Sequence, residues 1–182
     1  MTVYLIRHGM TEANEKHLYC GSTDLPLSDA GRDALSDLRY AVSCGKFLTS
    51  GMRRTEETLQ RLFGEVPHEM DARFREVDFG DFEMKSYEEL KDDAAYQAWI
   101  SGENEKNVPP HGESGDAMTR RVISAFRDVL SSGEDTVIVT HGGVIAAIMQ
   151  SLFPEAGKHR YAWQPKPGHG YKVTESGYEA IP

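Results

Sequence analysis

With 182 residues, 39% of them hydrophobic, the chain is long enough for one sizeable core and short for two, so a single domain over residues 1–182 is expected. Lys and Arg number 20 against 29 Asp and Glu, and the formal net charge of −9 disfavours nucleic acid and anionic membranes as partners. A small anionic ligand must then meet a local basic pocket. Cys20 and Cys44 show neither metal nor disulfide spacing, and no apolar stretch resembles a signal peptide or a membrane span, which predicts a cytoplasmic protein.

Residues 2–7, TVYLIR, read as a buried strand that ends in Arg7-His8-Gly9, a cation, an imidazole and a flexible residue within three positions. Leu27-Ser28 introduces a helix over 30–42, capped by Ser28 or Asp29. Residues 46–50 form a short strand. Residues 51–63 carry Met52, Leu59, Leu62 and Phe63 at helical spacing, and 66–72 form an edge strand with Pro67 near its start. A helix is expected over 86–100, a surface loop rich in Pro, Asn and charge over 102–112, and an amphipathic helix from about 113 to 130. Thr136-Val137-Ile138-Val139-Thr140, β-branched throughout, is the strongest strand, and it runs into His141-Gly142-Gly143 before an apolar helix over 144–152. The chain closes with a hairpin of 171–174 and 178–181 around Glu175-Ser176-Gly177.

Two buried strands thus each deliver a histidine. In open α/β sheets ligands bind beyond the carboxyl ends of the strands, so His8 and His141 can meet in one crevice. A neutral imidazole can accept a phosphoryl group on nitrogen, provided its other nitrogen has an acceptor that fixes the tautomer. The transferred group spreads negative charge over its equatorial oxygens, which calls for arginine forks, a second imidazole and backbone amides. Arg7, His141 and the Gly142-Gly143 helix start suit that task.

Six blocks in order resemble the histidine phosphatase superfamily: residues 7–14 (RHGMTEAN), 21–28 (GSTDLPLS), 49–58 (TSGMRRTEET), 75–80 (REVDFG), 112–114 (GES) and 139–144 (VTHGGV). The resemblance implies that His8 is phosphorylated in the intermediate, and that Arg7, Arg54 and His141 form the phosphate pocket, with Asn14 and the Gly142 amide completing it. Arg54 is preferred to Arg53 because it falls four residues after Ser50, as in the family's block. Against this, Arg54 is one of several charges on a helix that offers it i,i+3 and i,i+4 partners. The resemblance also implies that Glu76 protonates the leaving oxygen and then activates water, although Glu76 sits among Arg73, Arg75, Asp78 and Asp81 and could equally be one charge of a solvated loop. Cys20 and Thr23 fall on the substrate side of the same site, Cys20 where several members carry a polar side chain such as Gln. The implied reaction needs no metal and no cofactor.

The sequence departs from the family's pattern at Glu83-Met84-Lys85, where many members read Glu-Gly, so a turn that is not glycine-based is expected there. His17, His68, His111, His159 and His169 lack metal-ligand spacing and are read as exposed or packing residues, with His111 and His169 as alternatives at a substrate entrance. Trp99, Tyr161 and Trp163 are read as core or surface-cover aromatics, with Trp163 an alternative substrate contact. About thirty residues separate Asp81 from His111, too few for the lid-forming insertion of the superfamily's mutases, and an open site favours hydrolysis. The chain most resembles the short bacterial phosphatases, among them the α-ribazole-5′-phosphate phosphatases. The expected protein is a metal-independent phosphomonoesterase acting on a small phosphorylated metabolite. A phosphoglycerate mutase and a non-catalytic phosphate-sensing module are the alternatives, and the sequence sets no oligomeric state. The expected fold is a three-layer α/β/α sandwich around a mixed, mostly parallel sheet, as in phosphoglycerate mutase-like proteins.

Overall fold

The computed structural model describes residues 1–42 and 44–182. Its strands are β1 (Thr2–Arg7), β2 (Lys46–Thr49), β3 (Glu69–Met70), β4 (Thr136–Thr140), β5 (Gly170–Thr174) and β6 (Gly177–Ile181). Its α-helices are α1 (Glu12–Glu15), α2 (Asp29–Ser36), α3 (Arg53–Phe63), α4 (Tyr87–Leu90), α5 (Ala94–Ile100), α6 (Gly115–Ser132) and α7 (Gly142–Leu152). The strands form one sheet in the order β3-β2-β4-β1-β5-β6. The first four are mutually parallel, and the terminal hairpin adds β5 antiparallel to β1 and β6 antiparallel to β5.

Period-2 alternation sends successive side chains of β1 and β4 to opposite faces. Val3, Leu5 and Ile138 pack against α6 and α7 through Met118, Val122, Phe126, Ile145 and Ile148. Tyr4, Ile6, Val137 and Val139 pack against Leu59, Leu62 and Phe63 of α3 on the other face. Covering on both faces explains why β4 is buried along its whole length and reads as one β-branched run. The result is the three-layer α/β/α sandwich.

The parallel register decides where the histidines go. Arg7 is level with Thr140 across β1 and β4, so His8 and His141, each the next residue, leave the sheet side by side. On the far side of β4, Thr49 is level with Val139, which brings Ser50 to the same edge.

Several boundaries differ from those the sequence predicts. α2 stops at Ser36 rather than 42, and Tyr40, Val42 and Cys44 instead pack on the α3 side of the core. The helix expected over 86–100 is two short ones. Leu90 and Tyr96 lie six residues apart, which on one helix would put them about 120° apart around the axis, yet both are buried in a single cluster with Phe82. The break at Lys91-Asp92-Asp93 turns them together, and Asp93 restarts the chain by accepting from the Tyr96 amide at 2.9 Å. β3 is shorter than expected, and α1 is a single turn that hydrophobic periodicity does not reveal.

The turn at Met84 keeps glycine's backbone without glycine. Met84 has φ +60°, the left-handed conformation, so the turn is not glycine-based, as expected, yet adopts a backbone that a glycine would take readily. It is held there by pairing, since its amide donates to the Tyr19 carbonyl at 2.7 Å and the Tyr19 amide donates to Lys85 at 3.0 Å. That conformation costs a non-glycine residue about 1–2 kcal/mol, partly offset in a glycine variant by chain entropy of about 0.5–1 kcal/mol. Met84→Gly is therefore expected to stabilise the protein by about 0.5–1 kcal/mol, read as an upward shift of the urea midpoint at unchanged slope.

Candidate active site

His8 is buried, with 6% of its surface exposed, and its amide donates to the Thr140 carbonyl at 2.9 Å. Its ring Nδ1 lies 2.6 Å from the Gly9 carbonyl. A carbonyl oxygen only accepts, so Nδ1 carries the proton and Nε2 presents its lone pair. Gly9 is itself anchored, its amide donating to Thr58 Oγ1 at 2.9 Å. Burial first, then the Arg54 and Arg7 charges, push the His8 pKa well below the usual imidazole value. The ring is therefore neutral at neutral pH.

His141 stands edge-on to it, with ring centroids 5.2 Å apart. Four groups fix its tautomer in sequence. The Thr55 hydroxyl donates to the Met52 carbonyl (2.7 Å), so Ser50 Oγ donates to Thr55 Oγ1 (3.1 Å) and accepts from His141 Nε2 (2.9 Å). Nδ1 is then the acceptor, and Arg54 Nε donates to it at 3.3 Å. Burial and the neighbouring Arg54 and Arg7 charges hold this imidazole neutral as well.

Arg54 is 1% exposed, with Nη1 donating to the Thr23 carbonyl and Nη2 to the Gly21 carbonyl, each at 2.8 Å. Arg53, one residue earlier on α3, points to solvent, with 61% of its side chain exposed and Glu57 its ionic neighbour at 3.9 Å. Arg7 donates from Nη1 to the Pro165 carbonyl at 2.8 Å. Its Nε is the one buried side-chain nitrogen or oxygen among the described residues that has no partner. A buried donor left open at the end of a strand is a place for an anion's oxygen.

The paired glycines after His141 have a steric cause. A Cβ on Gly142 would lie 3.2 Å from the Arg7 guanidinium carbon, and one on Gly143 would lie 2.4 Å from Glu76 Oε1. Gly143 donates its amide to Glu76 Oε2 at 2.9 Å, and Glu76 Oε1 accepts from the Val77 amide at 3.0 Å. Gly142 opens α7, so its own amide has no acceptor within the helix and sits at the positive end of the helix dipole. Asn14 caps α1 reciprocally with Thr11, its Oδ1 accepting from the Thr11 amide (2.9 Å) and hydroxyl (3.0 Å). That fixes the amide's orientation and leaves its Nδ2 hydrogens to a ligand.

Arg7, Asn14, Cys20, Glu76 and Gly143 line one cavity of about 410 Å³, whose outer wall is Tyr19, Phe79, Trp99 and Tyr161. Trp99 and Tyr161 thus face the cavity. Trp163 does not: it is fully buried in the core, with Nε1 donating to Gln150 at 3.2 Å. Cys20 points its thiol at the Thr23 carbonyl, 3.5 Å away, and burial raises its pKa, so it stays a neutral thiol. Thr23 lies outside the cavity wall. Its hydroxyl donates to Glu83 at 2.7 Å, and its part in the site is the carbonyl that holds Arg54. His111, exposed and paired with Asp81 at 3.0 Å, lies outside the wall too, as does His169. The buried His8, Arg54 and His141 are not part of that cavity's lining, nor of a separate, more open hollow of about 470 Å³ beside α1 and α2. Among the described residues no group of three or more metal-ligating side chains comes together.

Sequence reasoning missed Glu83, whose carboxylate accepts from the amides of Gly21, Ser22 and Phe79 at 2.9–3.1 Å and so binds the loop under Arg54 to the loop after Glu76. It also passed over Ser50 as a functional residue, although it stands second in the block containing Arg54. Its place one residue beyond β2 was the available signal.

Neutral buried imidazoles make stability fall in acid. The folded pKa values of His8 and His141 lie well below the unfolded value, so the unfolded chain binds more protons and stability, complete above pH 6.5, is lost as pH falls below it. Between pH 7.5 and 5.5 the parent's stability is expected to fall, and urea melts of His8→Ala should show a shallower loss than the parent.

A family model described as the histidine phosphatase superfamily (branch 1) matches residues 3–177. The adenosylcobalamin/alpha-ribazole phosphatase of Salmonella typhimurium is 33% identical over 162 residues, which cover 84% of this chain and 79% of that one. The alpha-ribazole phosphatase from Shigella flexneri shares the fold, with a TM-score of 0.81 at 23% identity over 100% of this chain and 96% of that one. The phosphoglycerate mutase from Thermus thermophilus superposes with a TM-score of 0.77 at 27% identity, over 100% and 99% of the two chains.

Proposed function

The chain belongs to the histidine phosphatase superfamily, and from that premise we propose that it is a phosphomonoesterase that hydrolyses a small phosphorylated metabolite through a phosphohistidine on His8. The observation that carries this reading is the lone pair on the neutral Nε2 of His8, whose ring stands 5.2 Å from the Arg54-bonded His141, with the open, buried Nε of Arg7 at the same end of the sheet. The phosphoryl oxygens are met by Arg7, Arg54, the Asn14 amide and the Gly142 backbone amide, while His141, whose one N–H goes to Ser50 Oγ, belongs to the phosphate pocket by orienting Arg54 through Nδ1. Nε2 forms a bond to phosphorus as the bond to the ester oxygen breaks, and Glu76 delivers a proton to that oxygen so that a neutral alcohol departs. Glu76 then takes a proton from water, whose oxygen attacks phosphorus and breaks the P–N bond, returning a neutral His8 and inorganic phosphate. Two arginines and an amide-rich helix start supply the electrostatics, so the reading requires neither a metal nor a cofactor.

Cys20 takes no covalent part, since its thiol is neutral. The substrate's alcohol occupies the space beside Tyr19, Phe79 and Trp99, and the relative's name makes α-ribazole 5′-phosphate the first candidate to try. Among the described residues no helix is long and apolar enough to cross a membrane, and a cytoplasmic site of action suits a small-metabolite substrate.

The likeness to a phosphoglycerate mutase gives a second reading, intramolecular transfer of the phosphoryl group. One assay separates the two. Phosphate release from a panel of monoesters in excess EDTA, with α-ribazole phosphate and 3-phosphoglycerate included, is expected to proceed. Absence of release, with 2-phosphoglycerate formed once bisphosphoglycerate is added, would replace the phosphatase by the mutase. Phosphate binding without any turnover would leave a sensing module.

A further inference from the structure

The outer cavity is a poor place for a second negative charge. Among the described residues that line it, Arg7 and Arg160 are the cations, and Glu76, Glu105 and Glu113 the anions. Arg7 serves the phosphate end. Glu113 is taken up by Arg121, whose Nε and Nη2 reach its two oxygens at 2.8 and 2.7 Å. Arg160 is the remaining cation, and its Nη1 donates to Glu105 in a pair whose side chains are only 18% and 35% exposed.

The chain makes room for this pair. Gly115, the first residue of α6, lies so close beneath it that a Cβ there would stand 2.0 Å from Glu105 Oε2 and 3.4 Å from Arg160 Nη1. The α6 N-terminus adds its positive end to the support of the Glu105 carboxylate. The residues opposite, Tyr19, Phe79 and Trp99, present uncharged aromatic surface.

We infer that the Glu105–Arg160 pair sets the charge of the leaving alcohol: by occupying the outer cation it admits monoesters of uncharged alcohols and rejects those whose alcohol carries a carboxylate. This inference rests on the phosphatase reading of the site. A carboxylate brought in with the substrate meets Glu105 and Glu113 with no free cation to answer it, and must displace Glu105 from Arg160 to bind.

Two matched pairs of esters test it at two distances from phosphorus, glycerol 3-phosphate against 3-phosphoglycerate and phenyl phosphate against 4-carboxyphenyl phosphate. The ratio of carboxylate to neutral ester is measured both as kcat/KM and as calorimetric Kd. Glu105→Gln frees Arg160 and is expected to raise that ratio about tenfold in at least one pair, and Glu105→Gln with Arg160→Gln is expected to abolish the gain. A ratio that stays within about twofold of the parent in both pairs overturns the inference, as does a gain that survives loss of Arg160. Should Glu105→Gln melt early, Glu105→Ala reads the same ratio. Turnover absent while the Kd ratio moves as expected removes the phosphatase reading and keeps the selectivity, and binding of none of the esters removes both.

Discussion

His8→Ala is expected to lower kcat by about four to six orders of magnitude, the scale seen when a covalent nucleophile is removed from an otherwise intact site. The remaining groups still bind phosphate but have nothing to receive it. The fold should survive, because His8 stands beyond the end of β1 and the core side chains of that strand, Val3 to Ile6, are untouched. Its stability at neutral pH changes by the small contacts of one ring, while its sensitivity to acid falls. Phosphate release, rapid acid-free quenching of enzyme incubated with labelled substrate, and circular dichroism read the three parts. A folded variant with activity within about tenfold of the parent would rule out His8 as the phosphoryl acceptor.

Arg54→Ala is expected to cost about 10³-fold in kcat/KM and about 3 kcal/mol of stability, whereas Arg53→Ala should stay within about twofold and 0.5 kcal/mol. The contrast comes from position alone, for the two residues are adjacent on α3. Arg54 is buried against His141 and two loop carbonyls, so its loss removes a charge from the phosphate pocket and strands the Gly21 and Thr23 oxygens. Arg53 is exposed, and its ionic neighbour Glu57 is also met by Arg32 at 3.0 Å. Steady-state kinetics with urea melts on both variants give the ranking, and the opposite order would mean that the phosphate is held elsewhere.

The same loop pair shows how far the sequence reaches. The blocks around His8 and His141 are legible because each is a local pattern, a strand written in β-branched and aliphatic residues, then a histidine, then the small residue or helix start that an anion site needs; Arg54 is legible only through its place in a block that resembles the family's. Glu83 is not legible that way. It reads as one acidic residue in a charged stretch, and its work of joining residues 21–23 to the segment after Glu76 exists only once two loops about sixty residues apart in sequence are folded together. Thr23 illustrates the reverse case, a residue placed near the site by its block whose side chain is turned away from it by that same carboxylate.

By itself, then, the amino-acid sequence determined the strands β1 and β4, the alternation that covers both of their faces, and the identity of the four groups at their ends, because burial and periodicity act over neighbouring residues. Tertiary structure decided what depends on distances across the chain. The level register of Arg7 and Thr140 brings the two imidazoles to 5.2 Å, the Met52-Thr55-Ser50 relay sets the tautomer of His141, and backbone hydrogen bonds with Tyr19 hold Met84 in a glycine's conformation. The Glu105–Arg160 pair, whose members are 55 residues apart, meets only when the loop before α6 and the segment after α7 close over one cavity. A hydrogen bond or an ion pair of that kind is fixed by three-dimensional proximity, and no spacing along the chain encodes it.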